Sequence, residues 1–259
     1  MSDELLDVAV RAARAGADEL VARFGRPASG VSTKTTDTDP VSDADLAAEK
    51  AIMGVLSEAR PGDGILSEEG GAADSASGLR WVVDPLDGTV NYLFAIPHWA
   101  VSVAVEDAEG AVAGVVLDPL RDELFTAVRG RGARRNGGPI RVSESTDLGK
   151  ALIATGFGYD PAVRTEQADI LTRVIAGVRD VRRAGTASLD LSWTACGRLD
   201  GYYESGLEVW DLAAGGLIVR EAGGHVGTLP RPIAGDLGVV ASAPGIWAAL
   251  DRLLGEAMG

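Results

Sequence analysis

The sequence predicts a mixed α/β protein in which two halves of the chain build layers of sheets and helices. Strands joined by short turns dominate residues 64–128, and strands alternate with helices from about residue 151 onward. The 259 residues are enough to bury a sizeable core, and a 46% share of hydrophobic residues is normal for a globular protein. We therefore expect an N-terminal half over residues 1–140 and a C-terminal half over residues 141–259.

The N-terminal half begins with two predicted helices separated by a polar segment. Apolar residues at helical spacing predict a helix over residues 3–24, which Gly25 ends. Residues 25–39 are rich in threonine and nearly free of apolar side chains, which is typical of a surface loop and also of a mobile flap over a site. A second helix is predicted over residues 42–59, with Ser42 or Asp43 near its cap.

Short strands come next, and strands then alternate with helices. Apolar runs predict strands at residues 64–67 and 81–83 and an antiparallel meander at residues 99–106, 111–117 and 123–128. Further strands are predicted near residues 151–154, 180–183, 202–204 and 238–241. The helices predicted between and after them cover residues 161–176, 188–196, 211–221 and 245–254.

Charge and composition exclude several classes of protein. With 24 Lys and Arg against 38 Asp and Glu, the net charge of −14 argues against a protein that binds nucleic-acid backbones. One cysteine and two histidines exclude a metal site rich in either residue, so a bound metal would be held by carboxylates. Carboxylate ligands favour Mg²⁺, Mn²⁺ or Ca²⁺.

Neither the start of the sequence nor any apolar run predicts secretion or membrane insertion. The first residues are acidic, whereas a signal peptide starts with a basic region. No apolar run approaches the ~20 residues that a membrane helix needs. We expect a cytoplasmic protein that binds no membrane.

The most informative stretch is residues 81–91. An apolar strand delivers Asp84, Pro85 bends the chain, and Asp87 follows three residues later, before Gly88 and Thr89 open a short helix whose N-terminus favours an anion. Two carboxylates about 4 Å apart repel by about 4 kcal/mol at an effective dielectric near 20, a cost that a cation between them converts into binding. A solvated turn is the alternative, and it is the commoner explanation of such a motif taken alone.

Two other acidic positions favour the metal site over the solvated turn. Glu68 and Glu69 end an apolar strand, and Asp211 lies in the first turn of a helix that continues with the small residues 213–216. Each taken alone is typical of a solvated strand edge or a helix cap. Three acidic positions that all border apolar structure are harder to explain that way. The small residues also predict unusually close packing of that helix against a neighbour.

These motifs together resemble those of the inositol monophosphatase family, Mg²⁺-dependent and lithium-sensitive sugar phosphatases. The resemblance extends over nearly the whole chain and rests on Asp39–Asp43, Ser67–Glu69, Trp81–Thr89, Arg182–Ala187 and Trp210–Gly215. It implies a layered αβαβα sandwich of the sugar-phosphatase type, with a mixed and largely antiparallel N-terminal sheet. It also implies a homodimer.

The resemblance implies two or three Mg²⁺ ions. Glu68, Asp84 and the carbonyl of Leu86 would hold one ion, and Asp84, Asp87 and Asp211 a second. Glu68 with waters would hold a weaker third ion.

The same resemblance assigns roles in catalysis and substrate binding. Asp43 and Thr89 match the pair that orients and deprotonates the attacking water, and Lys34 matches a lysine on a flap near the site. The positions that match substrate contacts are Leu86, Asp87, Gly88, Thr89, Arg182, Ala187, Glu204 and Asp211.

We therefore expect a phosphomonoesterase acting on inositol 1-phosphate or a similar polyol phosphate. Divalent ions are required because a phosphate ester would otherwise be repelled by the acidic site, and the attack should be direct, by water, without a phosphoenzyme. Histidinol-phosphate phosphatase and fructose-1,6-bisphosphatase share the metal framework and remain alternatives. An alternative of another class is a metal-stabilised binding protein without turnover.

Overall fold

The helices and strands of the chain are seen in a computed structural model that describes residues 2–26, 30–33, 40–233 and 238–259. The helices are α1 (Ser2–Arg23), α2 (Asp43–Ala59), α3 (Thr89–Leu93), α4 (Pro161–Val174), α5 (Ala187–Ala195), α6 (Val209–Glu221) and α7 (Trp247–Met258). The first strands are β1 (Ser32–Thr33), β2 (Pro40–Val41), β3 (Gly64–Ser67), β4 (Gly71–Ala73), β5 (Arg80–Asp87), β6 (Ala100–Asp107), β7 (Gly110–Asp118) and β8 (Glu123–Val128). The remaining strands are β9 (Ala133–Arg135), β10 (Gly138–Pro139), β11 (Leu152–Thr155), β12 (Asp180–Arg182), β13 (Gly201–Ser205), β14 (His225–Thr228) and β15 (Gly238–Ser242).

Two large sheets organise these elements. The first has the strand order β10-β9-β8-β7-β6-β5-β3-β4 and is antiparallel except where β3 runs parallel to β5. The second has the order β12-β11-β13-β15-β14, with β11 parallel to both of its neighbours. Here β15 is antiparallel to β13 and β14. The short strands β1 and β2 pair with each other.

Alternating side chains on the strands place helices on both faces of each sheet. On β6, Val101, Val103 and Val105 join the core formed with α1 and α2, whereas Ala100 and Ala104 face the core formed with α5 and α6. On β13, Tyr202 faces that same central core and Tyr203 faces the outer core beneath α4 and α7. The layers are therefore α1 and α2, the first sheet, α5 and α6, the second sheet, and α4 and α7. This is the predicted αβαβα sandwich.

The helices of the middle layer are apolar on most sides because a sheet covers each face. In α5 nearly every residue is buried, and α6 is buried from Ala214 to Val219. A methyl group at Gly215 would lie 2.8 Å from Cβ of Leu191, and one at Gly114 would lie 2.9 Å from Cα of Ala214. The predicted close packing around residues 213–216 is confirmed, and it brings the start of α6 against the first sheet.

Several elements differ from the sequence prediction. The strand predicted to end at residue 83 continues through Pro85 to Asp87, and its pairing with β6 shifts register between Asp84 and Asp87. The last helix extends to Met258 rather than ending near residue 254. The sequence analysis did not predict β4, β9, β10 and β14, whose two to four residues carry too little periodicity to detect.

Two further expectations concern membrane-spanning helices and the division of the chain into domains. Within the described residues, no helix combines the length and the apolar character needed to cross a membrane. The first sheet is formed by strands between residues 64 and 139 and the second by strands between residues 152 and 242. A domain boundary near residue 140 stays a prediction.

The contact between α5 and α6 gives a stability prediction with a matched control. Gly215→Ala places a methyl group against Leu191, whereas the nearest atom to a methyl group at Gly216 is 3.5 Å away, on Arg220. We expect Gly215→Ala to be less stable than Gly216→Ala by about 1–3 kcal/mol, the usual cost of overpacking a core. Urea denaturation of both variants measures the difference. Equal unfolding midpoints and slopes would contradict the close packing.

Candidate metal and substrate site

Asp84 and Asp87 are brought together by the irregular end of β5. Asp84 pairs with Ser102 on β6 and Asp87 with Ala100, so two residues bulge between them where the partner strand has one. The N–H of Leu86 donates to Oδ1 of Asp84 at 3.0 Å, which holds the bulge closed. Both carboxylates are buried as a result. The bend that Pro85 predicted is this bulge.

The tight turn after the bulge requires glycine. Gly88 has a φ of +95° and is the N-cap residue of α3. A methyl group there would lie 2.6 Å from Oγ1 of Thr186 and 3.2 Å from the carbonyl oxygen of His98. The chain can therefore turn into α3 and place Thr89 beside the acids only with glycine at this position.

Asp211 reaches the same point from the middle layer. It lies in the first turn of α6, where its carboxylate accepts a hydrogen bond of 2.7 Å from the N–H of Glu208. One carboxylate oxygen from each of Asp84, Asp87 and Asp211 lies within 4.8 Å of the others. The structure thus joins two motifs that are more than a hundred residues apart in sequence.

Glu68 lies beside this cluster because β3 and β5 are parallel. Ser67 pairs with Val83, and the N–H of Glu68 donates to the carbonyl of Val83 at 3.2 Å, so Glu68 is level with Asp84. Burial raises the pKa of Asp84 well above its usual value, and the nearby carboxyl of Glu68 raises it further. Glu68 therefore belongs with the three clustered acids.

The electrostatics of the cluster are unfavourable without a cation. Burial raises the pKa of Asp211 well above its usual value, and the charge of Asp87 adds to the effect. Burial raises the pKa of Asp87 to about 6, although two hydrogen bonds from Ser188 oppose the rise. Those bonds come from the N–H and the hydroxyl of Ser188, at 2.7 and 2.6 Å. Buried acids that repel one another are the environment that a divalent cation stabilises.

The donor atoms fit Mg²⁺ and similar hard cations. Asp84, Asp87, Asp211 and Glu68 offer carboxylate oxygens, and the carbonyl of Leu86 lies between the two aspartates of the bulge. The Leu86 carbonyl accepts a hydrogen bond of 3.0 Å from the hydroxyl of Thr89 and keeps a second lone pair.

The partner of Thr89 is Asp45, which corrects the sequence prediction. The hydroxyl of Thr89 lies 3.2 Å from Oδ1 of Asp45, a side chain that is 2% exposed. Asp43, predicted to pair with Thr89, is exposed at the first position of α2. Because residues two apart on a helix point to nearly opposite sides, only one of the two aspartates can face Thr89.

A capping box explains why Asp45 is the residue that faces inward. Ser42 is the N-cap of α2, and the carboxylate of Asp45 accepts hydrogen bonds from its N–H at 2.9 Å and from its hydroxyl at 2.6 Å. The spacing of serine and acid three residues apart signals this arrangement in the sequence. Reading Ser42 as the cap would have identified Asp45.

An open cavity of about 610 Å³ lies against the acid cluster. Of the predicted substrate contacts, those that line it are Leu86, Asp87, Gly88, Thr89, Ala187, Glu204 and Asp211. The predicted metal ligands Glu68 and Asp84 line it too. Lys34, the predicted flap lysine, lies outside the described residues.

Arg182 is the predicted substrate contact that the structure contradicts. Its guanidinium is exposed and forms an ion pair of 2.6 Å with Asp180, and it does not line the cavity. The neighbouring Arg183 lines the cavity and lies over the ring of Phe157, 5.9 Å from its centroid. Since side chains alternate along an extended chain, the two arginines point in different directions. The sequence motif alone did not distinguish them.

A second group of acids lies on β13 and α5, where Glu204 lines the cavity and Asp190 is buried near it. Glu204 accepts a hydrogen bond of 2.7 Å from the hydroxyl of Tyr202, and burial raises its pKa to about 7. Asp190 on α5 is 1% exposed, and its Oδ1 finds no hydrogen-bond partner among the residues that the structure describes. Burial, followed by the charge of Glu204, raises the pKa of Asp190 well above its usual value. Sequence reasoning found Glu204 but missed Tyr202 and Asp190, which lie in apolar runs that read as core.

Comparison with known proteins places the chain in one family. The family model described as the inositol monophosphatase family matches residues 1–256. The inositol-1-monophosphatase SuhB of Mycobacterium tuberculosis is 44% identical over 250 residues, which cover 91% of this chain and 86% of that protein. The Nus factor SuhB of Escherichia coli K12 is 41% identical over 224 residues, covering 86% of this chain and 84% of that protein.

Solved structures agree with that match. The extragenic suppressor protein suhB of Bartonella henselae has a TM-score of 0.89 at 42% identity and covers 96% of this chain and 97% of its own. The IMPase of Thermotoga maritima has a TM-score of 0.87 at 29% identity and covers 97% of both chains. Sequence, fold and the match over residues 1–256 lead to the same conclusion: the chain belongs to the inositol monophosphatase family.

Proposed function

We propose that the protein is a Mg²⁺-dependent phosphomonoesterase that hydrolyses inositol 1-phosphate, or a similar polyol phosphate, to the polyol and inorganic phosphate. The observation that carries the proposal is the convergence of Asp84, Asp87 and Asp211 within 4.8 Å on the wall of an open cavity. The relative from Mycobacterium tuberculosis that is named inositol-1-monophosphatase supports the choice of substrate.

We assign the metal ligands as the sequence predicted. Glu68, Asp84 and the carbonyl of Leu86 would hold one Mg²⁺, and Asp84, Asp87 and Asp211 a second, with Glu68 also available to a third. When bound, these ions neutralise the acids and supply Lewis-acid activation of the phosphate ester and of water. Lithium inhibition is expected from the family resemblance and stays a prediction.

Asp45 and Thr89 would prepare the attacking water. The carboxylate of Asp45 and the carbonyl of Leu86 are the two acceptors within reach of the single proton of the Thr89 hydroxyl. When Asp45 takes that hydrogen bond, the Thr89 oxygen can accept a hydrogen bond from a water in the cavity, and a proton that leaves the water would pass to Thr89 as the Thr89 proton passes to Asp45. Thr89 lies at the start of α3 beside Leu86, so that water would stand next to the acid cluster. In this proposal Asp45 takes the role that the sequence analysis gave to Asp43.

The leaving alcohol would occupy the part of the cavity that Ala187 and Glu204 line. Arg183, which lines the cavity, replaces Arg182 as the arginine of the site. The carboxylate of Glu204 can accept a hydrogen bond from a polyol hydroxyl or from an ammonium group. Histidinol phosphate therefore remains an alternative substrate. Fructose 1,6-bisphosphate is a further alternative on the same metal framework.

A role without turnover is the alternative of another class. Relatives from Escherichia coli and Haemophilus influenzae are named Nus factor SuhB, a name that does not refer to an enzyme. Phosphate release from inositol 1-phosphate, histidinol phosphate and fructose 1,6-bisphosphate, with millimolar Mg²⁺ and with or without Li⁺, separates these possibilities. Absence of release from every ester would favour the binding role.

We also propose a homodimer. Phe94 and Ile96 follow α3 with 76% and 47% of their surface exposed, beside Ala95 at a φ of +54°. Two large apolar side chains held out by a constrained turn fit a subunit contact. The expected cytoplasmic location stays a prediction.

Replacing Asp84 tests the metal assignment. We expect Asp84→Asn to lower turnover of inositol 1-phosphate by more than about 100-fold. Replacing a residue that only supports a metal ligand already costs up to about 100-fold, and Asp84 would be a ligand itself. Without metal, the variant should be at least as stable as the native protein, because one repelling charge is gone. Phosphate release and thermal unfolding in EDTA measure the two effects.

Asp190→Asn is the matched control, because Asp190 is a buried acid near the cavity that lies outside the metal cluster. Mg²⁺ affinity should stay close to native in this variant. Normal turnover in Asp84→Asn, or a similar loss of Mg²⁺ binding in both variants, would contradict the assignment.

Asp45→Asn and Asp43→Asn distinguish the two aspartates of α2. Asparagine at position 45 keeps an acceptor for Ser42 but loses the charge that polarises Thr89, so kcat should fall by about 100-fold, the lower range for general-base catalysis. Asp43→Asn should keep near-native kcat, and both variants should keep their Mg²⁺ affinity. Steady-state kinetics and Mg²⁺ titration check this. A fall in kcat confined to Asp43→Asn would restore the original pairing.

Phe94→Asp tests the homodimer. A charge at this exposed position would have to be buried at the subunit contact, so we expect the variant to sediment as a monomer while the native protein sediments as a dimer. Leu120→Asp, at another exposed apolar position, is the control and should remain dimeric. A monomeric native protein would refute the proposal.

A further inference from the structure

The carboxyl of Glu204 is held from one side by Tyr202. Both residues lie on the same face of β13, since they are two apart on a strand. Tyr202 is fully buried, and its hydroxyl donates to Oε2 of Glu204 at 2.7 Å. Packing fixes the ring, so the hydrogen bond fixes the direction of the carboxyl.

The carboxyl of Glu204 also occupies the space that a side chain at position 156 would fill, and Gly156 leaves that space open. Strand β11 is parallel to β13, with Ala154 opposite Tyr202 and Thr155 opposite Tyr203, so the next residue along, Gly156, faces Glu204. A methyl group at Gly156 would lie 1.9–2.1 Å from three atoms of the Glu204 carboxyl. Any residue other than glycine at position 156 would therefore force the Glu204 carboxyl to move.

Gly156 is needed for space rather than for backbone conformation. Its φ lies outside the left-handed region, where glycine is favoured. The three atoms nearest to a methyl group at this position all belong to Glu204. Alanine at this position should therefore displace one carboxyl and change little else.

We propose that Gly156 and Tyr202 determine substrate specificity by positioning Glu204 to accept a hydrogen bond from a hydroxyl of the alcohol part of the substrate. The inference rests on the proposed function, in which Glu204 meets the alcohol, and adds to it the two residues that set the position of the Glu204 carboxyl. Both Tyr202 and Gly156 act through Glu204, so they are positioning residues. Phosphate recognition stays with the acid cluster and its cations, which line the same cavity.

The charges around Glu204 agree with this role. Tyr202 donates to Oε2, and Glu204 also lines the cavity, so its carboxyl would be the group that meets a ligand there. Arg183 stands near enough to stabilise the negative charge, and Asp190 and Asp87 contribute charges of the same sign. A substrate anion would be repelled at this wall, whereas a hydroxyl that donates a hydrogen bond would be held.

Two esters separate specificity from general damage. Inositol 1-phosphate carries hydroxyls for Glu204, whereas p-nitrophenyl phosphate has a leaving group with none. We expect Gly156→Ala and Tyr202→Phe to raise KM for inositol 1-phosphate by about tenfold, the range for losing a hydrogen bond to a charged group. For p-nitrophenyl phosphate, kcat/KM should stay within about twofold of native, since no such bond is made.

Matched variants control for packing. Tyr203→Phe removes the neighbouring hydroxyl on the opposite face of β13, in the outer core, and should leave both esters unaffected. In a Glu204→Ala background, adding Gly156→Ala should change nothing further, because the methyl group acts only through the missing carboxyl. Equal losses on both esters, or unchanged KM for inositol 1-phosphate, would overturn the inference.

A binding measurement tests the role of Gly156 even if the protein is not a phosphatase. A native protein that releases phosphate from neither ester would refute that proposal. Calorimetric binding of inositol 1-phosphate in the presence of Mg²⁺ then tests Gly156 directly. Binding weakened about tenfold by Gly156→Ala would support the positioning role. Equal binding by the native protein and the variant, or no binding by the native protein, would overturn it.

Discussion

Repulsion among acids that the fold has buried together is the constraint on which the rest of the structure depends. Asp84, Asp87 and Asp211 approach within 4.8 Å while largely removed from water, and Glu68 adds a fourth carboxyl beside Asp84. Such a cluster is unfavourable for the metal-free chain and becomes favourable once cations occupy it. The metal-free protein is therefore less stable than it would be without these acids, but the acids form a site for cations, and the cations can hold a phosphate.

Each acid owes its position to a specific feature of the fold. The bulge at the end of β5 turns two aspartates toward one point, and the parallel pairing of β3 with β5 sets Glu68 beside them. Asp211 arrives because α6 packs unusually close to its neighbours, with Gly215 against Leu191 of α5 and Ala214 against Gly114 of the first sheet. Further parts of the cavity lining come from α5 and β13, which follow residue 140 as α6 does, whereas Glu68, Asp84 and Asp87 precede it. A single cavity therefore needs both halves in register.

Local signals in the sequence were sufficient for much of this site. The acids of residues 84–87, the strand end at Glu68 and the helix start at Asp211 each border an apolar run, and the structure places them together. The layered sandwich followed from the order of strands and helices and from the family motifs. These features depend on residue type and short spacing, which a sequence displays directly.

The features of the site that could not be predicted from the sequence depend on the direction of single side chains. Asp43 and Asp45 differ only in their angle around α2, which the cap at Ser42 sets. Arg182 and Arg183 differ only in which side of the chain they leave. The space at Gly156 exists only because β11 and β13 pair in one register, and no spacing in the sequence reports that pairing.

The most direct test of the account is a crystal of the native protein grown with Mn²⁺ and measured at the manganese absorption edge. We expect anomalous peaks bounded by oxygens of Asp84, Asp87 and Asp211, with Glu68 and the Leu86 carbonyl turned toward the ion nearest Asp84. Peaks confined to the protein surface, with this cluster free of manganese at saturating concentration, would contradict the account.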